Sequence, residues 1–166
     1  ALLKEAGFPE GKGLPELVFD LRGPSTSQRQ LGEFLRDNFS KIGVKLNIIG
    51  NSFPEAMDKA KQGKFQIMLG GWSADYPDSE NFMQLFYSKN AAPGTNVSNF
   101  SDPKFDAYYE KIRTMLPSPE RKQIILEMVK ILQEQVPAAY WLHQLAAEGE
   151  QRHSDTYHLK HYLNYK

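Results

Sequence analysis

The chain has 166 residues, 20 basic and 20 acidic, so its formal net charge is zero, and it contains no cysteine. That balance gives no electrostatic footprint for nucleic acid or an anionic membrane, and the absent thiols exclude disulfides, thiol catalysis and thiolate metal sites. The length suits one domain, or two small ones, with a core that needs no metal or disulfide, and no run approaches the ~18 apolar residues that cross a bilayer.

Residues 1–7, ALLKEAG, read as the last turns of a helix with Gly7 just past its end. No capping residue, initiator methionine or signal peptide precedes them, as expected of a piece of a longer chain. A Gly/Pro-rich loop follows at 8–15, then a strand, Leu17-Val18-Phe19-Asp20-Leu21, broken by Gly23-Pro24. Ser25 and Gln28 have capping-box spacing. The helix they start should bury Leu31, Phe34, Leu35, Phe39 and Ile42 on one face and stop at Gly43. Residues 44–49 form the next strand, so strand, helix and strand make a right-handed parallel βαβ unit.

Ser52 and Glu55 repeat the capping box, with Pro54 in the first turn. Ala56, Met57 and Ala60 give that helix a thin apolar face, and Gly63 terminates it. The near-continuous apolar run at 65–70 reads as a central parallel strand buried on both faces. A helix at 79–87 should bury Phe82, Leu85 and Phe86, and a long Asn/Gly/Pro loop covers 88–99. Asn38 and Asn96 match the short glycosylation pattern, which is too common by chance to carry weight. Asp102-Pro103 and Ser118-Pro119 each cap a helix. The first carries Phe105, Tyr108, Tyr109, Ile112 and Met115 as its apolar side. The second carries a stripe from Ile124 to Val136 that reads as core. Residues 136–143 look like a returning strand, 144–156 turn polar, and 157–166 form an aromatic, basic tail.

The stretch around which the rest is organised is FQIMLGGWSADYPDSENF, residues 65–82. An apolar strand runs into two glycines, a tryptophan and the carboxylates of Asp75, Asp78 and Glu80. Ligands of open α/β sheets sit beyond the carboxyl ends of strands. Trp72 offers a flat apolar plate with one N–H donor, and Asp75 a carboxylate suited to an ammonium group. Gly70 and Gly71 allow another backbone to approach closely. Together they suit a protonated amine on an extended backbone, such as a peptide's amino end. Asp78 and Glu80 read instead as caps of the following helix.

No G-x-S-x-G elbow, H-E-x-x-H pair or phosphate loop occurs, and the acidic spacing lacks the order of a calcium loop. His143, His153, His158 and His161 have no convincing metal spacing. No cofactor or metal is therefore expected. A hydrolase built from Asp75, Asp78 or Glu80 with His143 would need the fold to bring that histidine close.

Four stretches resemble the C-terminal lobe of the extracellular solute-binding proteins of the dipeptide/oligopeptide family, which serve ABC importers. They are Leu2 to Pro9, Leu35 to Leu46 with Lys41-Ile42-Gly43-Val44 at its centre, Gly71-Trp72-Ser73-Ala74-Asp75-Tyr76-Pro77-Asp78, and Ser98 to Asp106. They occur in the family's order, and the third is the most specific. The resemblance covers residues 1 to about 142.

It implies an α/β fold: a mostly parallel sheet with flanking helices, one lobe of a two-lobe periplasmic binding protein-like fold. Residues 1–166 would be the C-terminal lobe of a longer peptide-binding protein that is not an enzyme. Its partners would be a short peptide ligand, an ABC importer permease and the N-terminal lobe of the same protein. Its location would be periplasmic or extracellular, with lipid anchoring left open. The resemblance assigns Asp75 to the peptide's α-ammonium, Trp72 to a side-chain pocket, and the backbone of Gly71 and Ser73 to strand-like pairing with the ligand. Some relatives place an arginine just before this motif for the ligand carboxylate. Leu69 stands there instead, so that contact is expected to be absent. A nickel-complex or sugar receptor on the same scaffold is the alternative. The isolated lobe should bind peptide no better than millimolar, about 4 kcal/mol, because half the cleft is elsewhere.

Overall fold

The computed structural model describes residues 1–139. The polar stretch 144–156, the tail 157–166, all four histidines and the 140–143 part of the expected strand lie outside the described residues. The chain divides into two compact units, Ala1–Gly71 and Trp72 onward.

In the first unit, α1 (Leu2–Glu5) leads through a loop to β1 (Leu17–Leu21). Helix α2 (Thr26–Ser40) returns the chain to β2 (Leu46–Gly50), and α3 (Phe53–Lys61) to β3 (Ile67–Met68). The sheet is parallel, in the order β2-β1-β3. Phe19, Leu21, Leu35, Val44 and Leu46 form its core.

Local chemistry accounts for the helix boundaries. The Ser25 hydroxyl accepts the Gln28 N–H, and Ser52 with Glu55 makes a complete reciprocal box. The Gln28 side chain does not reach back as the spacing suggests. It lies against Gly23, and its oxygen has no partner among the described residues. All three helices end in the same paired bonds. At α2, Val44 N–H donates to the Phe39 carbonyl and Gly43 N–H to that of Ser40, both at 3.0 Å. This closure needs a left-handed residue, and Gly43 has φ +80°. Gly43 is also where a loop passes closely: a Cβ there would lie 1.9 Å from the Glu10 carbonyl oxygen.

Two expectations for this unit fail. The central strand is β1, not the run at 65–70: β3 is a half-buried edge strand of two residues. Beside it the Gln66 side chain, not a backbone carbonyl, accepts the Val18 N–H at 2.7 Å. An apolar run reports a demand for burial, whereas strand order is settled by pairings between distant segments, here Leu17 with Leu46 and Phe19 with Ile67. Phe34 and Ile42 are also exposed, at 64% and 54%. Helix α2 meets the sheet at Gly32, where a Cβ would sit 2.9 Å from Ile48 Cγ2. Phe34, about 200° further round the helix, therefore points away, and Ile42 lies past the helix end.

In the second unit, α4 (Glu80–Met83) runs into short 3₁₀ turns at Gln84–Phe86 and Ser88–Asn90, followed by α5 (Pro103–Ile112) and α6 (Pro119–Gln135). The expected helix at 79–87 is thus one α-turn that tightens. With three residues per turn instead of 3.6, the buried positions become Met83, Phe86 and Tyr87, while Phe82 and Leu85 are only half-buried. Asp102 and Ser118 cap α5 and α6 by accepting the N–H of Phe105 and Arg121. The core joins these helices through Ile112, Met128 and Leu132 and through edge-to-face contacts among Phe86, Phe100 and Phe105. Asn96 is fully buried, and its side-chain nitrogen donates to the carbonyls of Tyr87 and Phe100, a structural role with no room for a glycan. Residues 136–139 are not a strand: Val136 ends α6 in the left-handed region with φ +48° and is exposed.

Candidate functional site

The loop that follows β3 carries the expected site residues. Gly71 closes the first unit, and Trp72, Ser73 and Asp75 open the second. Gly71, Ser73 and Asp75 are exposed, and the Trp72 indole keeps 39% of its surface in solvent.

The loop is held by the residues after it. Asn81, fully buried, uses one side-chain oxygen twice: it accepts the Trp72 indole N–H at 2.7 Å and the Asp75 backbone N–H at 3.3 Å. Glu80 takes the hydroxyls of Tyr76 and Tyr109, one on each oxygen. That bond lifts the Tyr76 phenol above its ordinary range. At Tyr109 burial does so first, and the Glu80 bond adds to it. Asp78 accepts the Glu80 N–H at 2.8 Å and pairs with Arg121 Nη2 at 2.8 Å, so it neutralises a buried guanidinium; the N-cap position of α4 falls to Ser79, whose side chain makes no cap bond, and Asp78 meets the helix start from one residue earlier than expected.

The three acidic residues are thereby sorted. Asp78 is committed to Arg121 and Glu80 to two tyrosines, while the Asp75 carboxylate has no partner among the described residues. A carboxylate that is exposed, unpaired and fixed through its backbone is free to meet a cation from outside. The described residues contain no group of three metal-ligating side chains. His143, which the hydrolase alternative requires, lies outside them.

The first unit adds polar groups that the sequence reading missed: Asp20, Arg22 and Asn51 at or just past the carboxyl ends of β1 and β2, and Lys59 on α3. Asp20 is 1% exposed, and its carboxylate is met by Lys59 Nζ at 2.6 Å and Asn51 Nδ2 at 2.9 Å. Arg22 donates to the Gly71 carbonyl at 3.2 Å and lies 5.3 Å from the centre of the Phe53 ring. Nothing local marks these residues, since each partner comes from a different element; only the position of Asp20, Arg22 and Asn51 at strand ends could have flagged them. Two shallow depressions of about 430 Å³ each lie between β2 and α2 and along the length of α3, and none of the four expected site residues lines them.

A parallel sheet with covering helices, its last strand leading into a loop tethered by the residues after it, is an α/β fold of the periplasmic binding protein kind. Residues 1–94 match the family described as bacterial extracellular solute-binding proteins, family 5 (middle region), and the chain belongs to that family. Di/tripeptide-binding protein 1 of Pseudomonas aeruginosa is 30% identical over 137 residues, which cover 82% of this chain and 26% of that protein. Heme-binding protein A of Haemophilus influenzae is 26% identical over 137 residues, 82% of this chain and 25% of that protein. The solved structure of HbpA2 from Haemophilus parasuis superposes with a TM-score of 0.74 at 26% identity, covering 82% of this chain and 27% of that one. The chain thus spans about a quarter of the length of the relatives it matches. Those relatives carry the names of binding proteins, and no helix among the described residues is long and apolar enough to cross a membrane.

Proposed function

We propose that residues 1–166 are the C-terminal lobe of a receptor that captures short peptides outside the cytoplasmic membrane and delivers them to an ABC importer, without catalysing a reaction. Asp75 takes the peptide's α-ammonium, Trp72 shelters a side chain, and the backbone at Gly71 and Ser73 pairs with the extended ligand. The observation that carries this reading is the Asp75 carboxylate, exposed and without a partner among the described residues, three positions from a half-exposed indole held by the same buried amide. The N-terminal lobe of the same protein and a permease complete the system, and the setting is periplasmic or extracellular.

Calorimetry of the full-length protein with di- to pentapeptides tests the proposal. Peptides with a free amino end should bind, and N-acetylation of the peptide or Asp75→Ala should each weaken binding by ~2–5 kcal/mol, the loss typical of a buried charge contact broken on one side. Equal binding of free and acetylated peptides by the wild-type protein would refute the assignment of Asp75.

A further inference from the structure

We propose that Asn81 is the positioning residue of this loop, the group through which Trp72 and Asp75 are presented to a ligand as one unit. The inference rests on the reading that those two residues face the ligand, and adds what sets their geometry.

The indole nitrogen can only donate, so Trp72 needs an acceptor to fix its ring. Asn81 Oδ1 supplies it at 2.7 Å, and the same oxygen takes the Asp75 backbone N–H at 3.3 Å. Asp75 is therefore fixed by its main chain, which leaves its carboxylate uncommitted. Asn81 is itself immobilised: its N–H donates to the Asp78 carbonyl at 3.1 Å, and its carbonyl accepts from Gln84 Nε2 at 3.1 Å.

The other half of the amide is informative. Asn81 Nδ2 is buried and has no hydrogen-bond partner among the described residues. Buried polar groups are nearly always paired, so an asparagine kept only to stabilise the fold should use both ends of its amide. Among the described residues the acceptor makes the two close bonds, on the two residues that face outward, while the Tyr76 hydroxyl is the nearest group to respond to the rest of the amide. What the position requires is a buried acceptor. Aspartate should therefore substitute for asparagine, and the isosteric leucine should not.

The test measures hydrogen exchange of the Trp72 indole N–H in the full-length protein, its signal identified by loss in Trp72→Phe, together with calorimetric affinity for trialanine. Asn81→Leu should speed exchange by ~10-fold, the scale of one lost hydrogen bond, and weaken trialanine binding by a similar factor. Asn81→Asp should stay within ~3-fold of wild type in both readouts. Unchanged indole exchange in Asn81→Leu, or equal losses of affinity in the leucine and aspartate variants, would overturn the proposal. If Asn81→Leu does not fold, the wild type decides: an indole N–H that exchanges as fast as free tryptophan overturns it, and a protected one that Asn81→Asp retains supports it. If wild-type protein does not bind trialanine, the peptide reading fails, and the exchange arm still decides whether Asn81 fixes the loop.

Discussion

Arg121 carries its charge with little water around it. Its side chain is 10% exposed, its Nε donates to the Ile112 carbonyl at 3.0 Å, and its Nη2 meets Asp78 at 2.8 Å. Asp78 is 30% exposed and also accepts the Glu80 N–H. The two ends of this pair should therefore respond differently to removal. Asp78→Ala strands the buried guanidinium. Full burial would make that cost about 3–5 kcal/mol, and the water that reaches Asp78 brings it to about 2–3 kcal/mol. Loss of its bond to the Glu80 N–H adds about 1 kcal/mol. Arg121→Met removes the charge together with its need for a partner and keeps most of the volume. Asp78 can then rehydrate and keep its bond to Glu80, so the cost falls to about 1–2 kcal/mol, mainly the bonds lost to Ile112 and Asp78. Urea unfolding followed by far-UV circular dichroism, which the long helices α5 and α6 dominate, measures both. The double variant should cost less than the sum, because its first change removes the reason for the second cost. Should Arg121→Met prove as damaging as Asp78→Ala, the picture of a stranded buried charge is wrong.

Two further outcomes follow from local geometry and charge. Gly7 and Gly43 both have positive φ, +87° and +80°, but an added Cβ meets nothing within 4 Å at Gly7 and lies 1.9 Å from the Glu10 carbonyl oxygen at Gly43. Gly7→Ala should cost only the backbone strain of about 1–2 kcal/mol, whereas Gly43→Ala should cost several-fold more protection in hydrogen exchange of the β1 and β2 amides; equal effects would show that the close approach is not sensed. Glu110 is held down to about 2 by the Tyr87 hydroxyl first and Lys89 second. Its contribution to stability is then fully present above its unfolded value of about 4.3 and is lost as the pH falls through about 2. Tyr87→Phe should move the carboxyl titration upward, read by carboxyl-carbon NMR, and an unmoved titration would count against the Tyr87 bond as its main cause.

The residues differ in how much of their role could be read in advance. The caps at Ser25, Ser52, Asp102 and Ser118 and the glycine stops at Gly7, Gly43 and Gly63 were legible because each is a set of bonds closed within a few residues of chain. The parallel pairing of β1 with β2 followed from the strand-helix-strand order. The loop from Gly71 to Asp78 stood out because an indole, two glycines and clustered carboxylates are dense in chemistry whatever surrounds them.

What the sequence by itself determined is therefore the local grammar: where elements begin and stop, which runs are apolar, and which loop carries groups able to recognise a cation. Tertiary structure alone decided that β1 is the central strand, that Phe34 faces outward, that Asp20 is buried with Lys59 and Asn51, and that Asp78 is held by Arg121 and Glu80 by Tyr76 and Tyr109. The physical reason is separation along the chain. These outcomes depend on which distant groups share a desolvated space, as Asp78 does with Arg121 and Glu80 with Tyr109, and no local pattern encodes that competition.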